Sequence, residues 1–431
     1  AEDDRLISAA FLEKLPDSPV KRLLMSSNAF ARHVASYLVE HPFYQNKNAN
    51  SPNGLTAHGV DRNVSINWVA PMVNALKATD EGYFKYRQRF FNERGGAVGV
   101  PAHEGNIAQG FYDFIGDRAG ALSRGEFFEE VAKAKRRLSD PDPQGLPEAY
   151  EAARYWHENL YKPALKAARD EKMFSVNIRR KIAKKREVLE SLEATEHGMT
   201  RKQLKLHGKI GREIKKLEDE AKVADNISDN DNYLNRLWNI KAITNDPWKL
   251  ERILMERGGY TRADAKAKIR QIVEGEHFRE LEPGETGMAR SLKKREIEVD
   301  DIYLEEFLEN NIGALGRYYA SRMGADIELT RQFGSIDMAE IMAELRKYSG
   351  DSKQLAADER DLLAIRDRIR GTFGIPENPD TWTHRGIRIA KMFNATTLFT
   401  GALAAVPDMA KLVMTDGFAN TMRMSLEAFR S

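Results

Sequence analysis

The residues best suited to chemistry are six cations. Arg179, Arg180, Lys181, Lys184, Lys185 and Arg186 fall within a few helical turns. Such a run can neutralise nucleic-acid phosphates or lie against an anionic partner, and it can equally be a solvated helix face. Other candidates are thinner. His103-Glu104-Gly105-Asn106 sets one carboxyl near Phe111, Tyr112 and Phe114. A glycan-cleaving acid needs a carboxyl with a raised pKa in a cleft, and a lone Glu in a loop is more simply a solvent contact or salt bridge. Gly95-Gly96-Ala97-Val98-Gly99 is glycine-rich, but no strand leads into it, so it reads as a helix terminator rather than a phosphate cradle. Asp300, Asp301, Glu305 and Glu306 offer oxygen ligands, yet they also fit an acidic first helical turn. Trp238, Trp248, Tyr318 and Tyr319 have faces on which bases could stack, but their helical spacing reads as core or interface. There are nine His and no Cys, and no His pair at i and i+4 flanks a Glu. The sequence therefore predicts no catalytic residue, no cofactor and no metal site.

These residues need elements to hold them. The chain has 431 residues, 42% hydrophobic and 31% charged, with a formal net charge of +2. That length allows two to four helical domains around a substantial core. Period-two alternation of β-branched residues is almost absent, so the expected class is all-α. Residues 18–41 predict one helix, capped by Ser18 and closed by His41-Pro42, with Leu23, Phe30, Val34, Tyr37 and Leu38 at helical spacing. Residues 45–62 read as a loop. Helices are then expected over 64–93, with Trp68, Met72, Leu76, Tyr83, Phe84, Tyr86 and Phe90 in the core, and over 123–138 and 147–169. Farther on they are expected over 248–257, after a Thr261 cap with Asp264 at the capping-box position, and over 302–323 with Phe307, Leu308, Ile312, Leu315, Tyr318 and Tyr319 buried. Two more are expected over 338–348 and 355–371.

The basic run lies on the most distinctive stretch. Phe174, Ile178, Ile182, Leu189 and Leu192 form one apolar seam, and Leu206, Ile210, Ile214, Leu217 and Ala221 form a second. His197-Gly198 is a stop and Thr200 a fresh cap. The pattern predicts an antiparallel helical hairpin, a coiled-coil-like arm. From 162 to 222 it carries 18 Lys and Arg against 10 Asp and Glu, an excess of eight positive charges. The chain thus divides into an N-terminal helical domain (1–146), the arm (147–225), a central helical domain (226–380) and a C-terminal segment (381–431).

In that last segment, Ile389 to Met414 is rich in Ala, Thr and Met, and Phe393, Leu398, Phe399 and Leu403 are candidate oligomer or membrane contacts. Asp408 and Lys411 would be costly in lipid, which favours a helical interface within an oligomer. At the other end, Ala1-Glu2-Asp3-Asp4-Arg5 lacks the basic region and apolar run of a signal peptide. Its opening without Met reads as a processed chain or a piece of a longer one.

Several strings, in order along the chain, carry a family likeness. They are Val20-Lys21-Arg22-Leu23-Leu24 through His41-Pro42-Phe43-Tyr44, Tyr155-Trp156-His157-Glu158-Asn159-Leu160-Tyr161-Lys162-Pro163, and Asp231-Asn232-Tyr233-Leu234-Asn235-Arg236-Leu237-Trp238. The clearest runs from Arg317-Tyr318-Tyr319-Ala320 through Arg331-Gln332-Phe333-Gly334, and the last from Thr400-Gly401 to Met409-Ala410. Together they resemble the large internal virion proteins of tailed bacteriophages, the ejection proteins released with the DNA. None of the strings is a catalytic motif. The resemblance implies a protein packaged in the virion interior that leaves through the tail and reassembles in the host cell envelope, in the periplasm, as a homo-oligomeric ring or tube. Its implied partners are other phage ejection, portal or tail proteins, double-stranded DNA in transit and the host inner membrane. Such modules are carried in very long polypeptides, sometimes beside a transglycosylase or polymerase domain. The physics is compatible, because helical units with local contacts refold fast and a chain without disulfides has no covalent obstacle to threading. Two rivals remain: a nucleic-acid-binding virion protein acting through the basic arm, and a peptidoglycan-degrading virion enzyme acting through Glu104.

Overall fold

The computed structural model describes residues 19–39, 59–93, 120–194, 200–274, 297–348 and 352–372. Of these, 78% are helical and none lies in a strand, as expected of an all-α chain. Several expectations fall outside the described residues: the Ser18 cap, Gly95-Gly96, Glu104 and its aromatic neighbours, and the segment with Phe393, Leu398, Phe399 and Leu403. Among the described residues no helix is long and apolar enough to cross a membrane.

The chain forms two compact units, each assembled from separated segments. Of the described residues, 19–39, 59–65, 266–274, 344–348 and 352–372 belong to one and 66–93, 120–194, 200–265 and 297–343 to the other. In the smaller unit, Pro19–Leu24 and Ala29–Leu38 pack on Ser352–Ile369. The single helix expected over 18–41 is broken between them. Asn28 Oδ1 accepts from the amides of Phe30 and Ala31 and caps a new helix there, so a side chain competes for backbone donors that a continuous helix would use. Of the residues at helical spacing, Leu23, Val34 and Leu38 are buried and Tyr37 is exposed. Buried Asp361 receives Arg22 Nε and Nη2 at 2.7 and 2.8 Å, and buried Asp358 accepts from Ser26 Oγ at 2.9 Å.

The larger unit is organised around the helix Ile312–Phe333. Asn311 Oδ1 accepts from the Ala314 amide at its start, and Gly334, in the left-handed region at φ 76°, ends it. The expected helix over 302–323 is therefore two pieces, because Asn311 caps a new start after the short turn Asp301–Leu304. Tyr319 is buried, while Tyr318 on the next face is exposed, contrary to expectation. Three neighbours lie close to its backbone. A Cβ at Gly316 would lie 2.1 Å from Trp156 Cζ3, one at Gly324 would lie 2.6 Å from Trp68 Cγ, and one at Gly313 would lie 3.0 Å from Leu76. Both indoles are satisfied: Trp156 Nε1 donates to Thr79 Oγ1 and Trp68 Nε1 to Glu328 Oε1, each at 2.8 Å. Ala70–Glu93, Arg124–Arg136 and Pro147–Trp156 pack together beside this helix. Ser123 and Glu126 form a capping box at the start of Arg124–Arg136. Phe84, expected in the core of Ala70–Glu93, is exposed.

In the same unit, Val176–Glu193 and Arg201–Asp225 pack against each other. Ion pairs Arg179–Asp225, Arg186–Glu218 and His207–Glu193 fix the order as antiparallel. Thr200 caps the second helix in a box with Gln203, as the sequence suggests. The seam is thinner than expected: Ile182, Ile210 and Ala221 are buried, but Leu206 is exposed, as are Leu204 and Val223.

Candidate functional site around Lys135 and His157

The structure scatters the chemistry of the basic run. Arg180 is drawn inward, its guanidinium reaching both oxygens of Asp337 at 2.7 Å and both of Glu340 at 2.7 and 2.8 Å. Burial opposes ionisation of Asp337 and Glu340, but the Arg180 hydrogen bonds outweigh it and hold both carboxyls below their ordinary pKa values. Arg179 meets Asp225, Lys185 meets Glu213 and Arg186 meets Glu218. Lys181 and Lys184 are exposed. An open groove of about 490 Å³ runs along the pair, lined by Arg179, Ile182, Arg186, Glu218, Ala221 and Lys222.

The other sequence candidates are also accounted for. Asp301 accepts from Arg236, Glu305 from Arg137, and Glu306 from Lys249, so the acidic cluster is dispersed over three cations. Burial raises the Glu305 pKa, with Arg137 pulling the other way. Among the four aromatics, Tyr319 is core and Trp238 half-buried, whereas Tyr318 and Trp248 are exposed, Trp248 at 63%.

The densest polar chemistry lies where the sequence offers no motif. Lys135, on Arg124–Arg136, is fully buried. Its Nζ donates to the carbonyls of Asp231 and of Tyr233 (2.8 Å for the latter) and sits 5.2 Å from the Tyr161 ring centroid. Burial pulls its pKa down to about 7, against the opposing charges of Asp231 and Asp229. A buried amine near neutral pKa is a familiar nucleophile or base. Here, however, two backbone carbonyls and an aromatic face enclose it, so it acts as a pin that fixes the segment 231–233.

His157 stands on the same patch. It opens a π-helical turn, His157–Tyr161, inserted between Pro147–Trp156 and Lys162–Asp170. Such turns widen the helix and often mark functional positions. The His157 side chain is only 3% exposed, its Nδ1 has no hydrogen-bond partner, and its Nε2 faces Asp231 Oδ1 at 3.2 Å and Asp229 Oδ2 at 3.7 Å. Burial, with the Lys135 charge nearby, lowers the imidazole pKa despite those carboxylates. Beside it, Tyr161, Tyr233 and Tyr319 meet with ring centroids 4.5 to 6.2 Å apart. Tyr161 donates to Asn235 Oδ1, and Asn235 Nδ2 donates to the Leu315 carbonyl. Burial raises the Tyr161 and Tyr319 pKa values well above the ordinary phenol range.

Sequence reasoning missed this cluster because its members come from four separate segments. The one signal available was that His157 and Asp231 each lie in a string that carries the phage resemblance. No protein-family model, no curated protein and no solved structure matches the chain.

Proposed function

We propose that the chain is a structural ejection protein of a tailed phage, packaged in the virion and reassembled in the host cell envelope as an oligomeric tube for genome passage. One observation carries this reading. Three of the strings that resemble ejection proteins converge through Tyr161, Tyr233 and Tyr319 into one buried cluster. The same strings supply Trp156, Gly316 is adjacent to the third, and Gly324 lies inside it. The resemblance therefore tracks the packing that builds the larger unit, which is what a structural module would preserve rather than a catalytic cleft. In this reading the antiparallel pair is a coiled-coil-like arm. Its ion-paired sides and thin apolar seam suit a subunit that docks on neighbouring copies through heterologous contacts. Phe393, Leu398, Phe399 and Leu403 are further contacts to neighbouring copies or to the inner membrane.

The test is the mass of the particle formed by the purified chain, by sedimentation and electron microscopy. Rings or tubes of defined subunit number are expected. A chain that stays monomeric at high concentration overturns the tube.

A second reading, nucleic-acid binding through the arm, draws on exposed Lys181 and Lys184. The carboxylate partners of Arg179, Arg180, Lys185 and Arg186 weigh against it, because a paired cation releases fewer counterions on meeting phosphate. Steeply salt-dependent DNA binding lost in Lys181→Glu/Lys184→Glu would favour it. Muralytic activity lost in Glu104→Gln would replace both readings with an enzyme.

A further inference from the structure

The two aspartates beside His157 face its imidazole and no other cation at ion-pair distance among the described residues. Among the described residues the contacts of the Asp229 and Asp231 carboxylates are to His157 Nε2, at 3.7 and 3.2 Å, and His157 Nδ1 has no hydrogen-bond partner. Three ligand-type atoms nevertheless converge, all within 4.8 Å of one another. The imidazole is almost fully buried where it opens the π-helical turn, with Nε2 turned towards the carboxylates. The aspartate side chains are 33% and 58% exposed, which leaves the far side of the cluster open to water.

We propose that His157 Nε2, Asp229 Oδ2 and Asp231 Oδ1 form a binding site for a divalent first-row transition cation, with Zn²⁺ the best-matched ion. The distances fit. A tetrahedral ion about 2.0–2.2 Å from each ligand holds the ligand atoms roughly 3.3–3.5 Å apart. The imidazole nitrogen already stands 3.2 and 3.7 Å from the two oxygens. Small rotations of two exposed aspartates complete the set, and water fills the remaining position. One imidazole with two carboxylates suits Zn²⁺ and its neighbours, whereas Mg²⁺ prefers oxygen ligands and sheds water reluctantly.

The surroundings are arranged accordingly. Lys135 grips the carbonyls of Asp231 and Tyr233, which fixes the backbone that carries one ligand. The nearby Glu158 carboxylate, 3.9 Å from Nε2, is held by Lys162 at 2.9 Å and so is kept from crowding the site. Nδ1 lacks the acceptor that usually orients a metal-bound histidine. Affinity should therefore be about micromolar rather than the much tighter binding of closed structural zinc sites. The ion would clasp the π-helical turn to the segment that follows the antiparallel pair, a structural role at the base of that pair.

The test is isothermal titration of the purified, untagged full chain with ZnCl₂ in excess Mg²⁺. One equivalent should bind, and Co²⁺ in its place should give visible d–d absorption. Asp229→Asn/Asp231→Asn should weaken Zn²⁺ binding by at least about tenfold and abolish the Co²⁺ band. Helical circular dichroism should stay unchanged, since neither carboxylate is a hydrogen-bond acceptor in the fold, and each variant's Zn²⁺ effect is read against its own metal-free Tm, because both carboxylates also offset the charge of buried Lys135. If the double variant loses helicity, Asp231→Asn alone, at the more exposed ligand, decides the matter by the same readouts. The proposal is overturned if no stoichiometric binding occurs in the presence of Mg²⁺. It is equally overturned if the folded variants bind as tightly as the parent, which would place the ion on other histidines.

Discussion

Glycine appears in two helices of the larger unit with opposite meaning. In Ile312–Phe333, a Cβ at Gly316 or Gly324 would collide with a tryptophan, and one at Gly313 would press on Leu76. In Arg201–Asp225, a Cβ at Gly208 or Gly211 would meet nothing within 4 Å. The first set lets indoles approach the backbone and so locks one packing arrangement. The second set only gives up helix propensity. The difference shows where this molecule is specified. One helix is enclosed on nearly every side, with Asp326, Glu328 and Thr330 buried along with its apolar face. The antiparallel pair buries a few seam residues and leaves Leu204 62% and Val223 74% exposed. Ion pairs on its flanks add little in water, where exposed pairs contribute about 0–1 kcal/mol each.

The contrast breaks first at Trp156. Trp156→Ala should destabilise the larger unit by about 3–5 kcal/mol, because it empties the space against Gly316 and removes the donor to the Thr79 hydroxyl, which keeps only its own bond to the Ala75 carbonyl. Urea unfolding followed by circular dichroism reads the loss. An effect under about 1 kcal/mol would mean that the indole does not fill the contact. Gly316→Ala should cost roughly 1–3 kcal/mol by overpacking the same contact. Combined with Trp156→Leu it should cost less than the two singles added, because the smaller side chain makes room for the new methyl. Additive losses would show that the glycine matters for some other reason.

Arg180 sharpens the comparison at intermediate size, since it is the point where the antiparallel pair is tied by a partly buried network. Arg180→Met leaves Asp337 and Glu340 without their cation and should cost about 1–3 kcal/mol at neutral pH. The sign with pH follows from the lowered carboxyl values. Both groups hold protons less tightly folded than unfolded, so their stabilising contribution is complete above the ordinary carboxylate range. It fades as pH falls through the lowered folded values. The stability gap between parent and Arg180→Met should therefore shrink as pH drops below about 4, the unperturbed carboxylate range. A gap that holds constant down to acid pH would assign the loss to packing of the arginine stem.

Much of the helical order was legible in the sequence because its signals are local. Ser123 with Glu126, Thr200 with Gln203, Thr261 with Asp264 and the stop at Gly259 all act within a few residues. What was not legible falls into two kinds. Apolar periodicity ran through Asn28 and Asn311, and only the folded chain shows those side chains turning to cap a new helix. Burial was misjudged at Leu206 and Phe84, which periodicity placed on an apolar face and the fold leaves exposed. The candidate site was hidden for a further reason. His157, Asp229 and Asp231 belong to no spaced motif, and the carboxylates meet the imidazole only in the folded chain, beside the 231–233 segment that Lys135 holds.

The smallest effect has the opposite sign from the rest. In the antiparallel pair, Gly208 and Gly211 sit mid-helix with open space around them. Replacing either with Ala removes backbone freedom from the unfolded chain and should stabilise the helix by roughly 0.5–1 kcal/mol, with no steric cost to offset it. The local character of the gain matters, because hydrogen exchange in Arg201–Asp225 should slow while that in Ile312–Phe333 is unaffected. If Gly211→Ala instead destabilises, or blocks assembly of the purified chain, the open space is a surface that another copy approaches closely. The antiparallel pair would then resemble the enclosed helix after all, with its tight partner supplied by a neighbouring subunit rather than by Trp156.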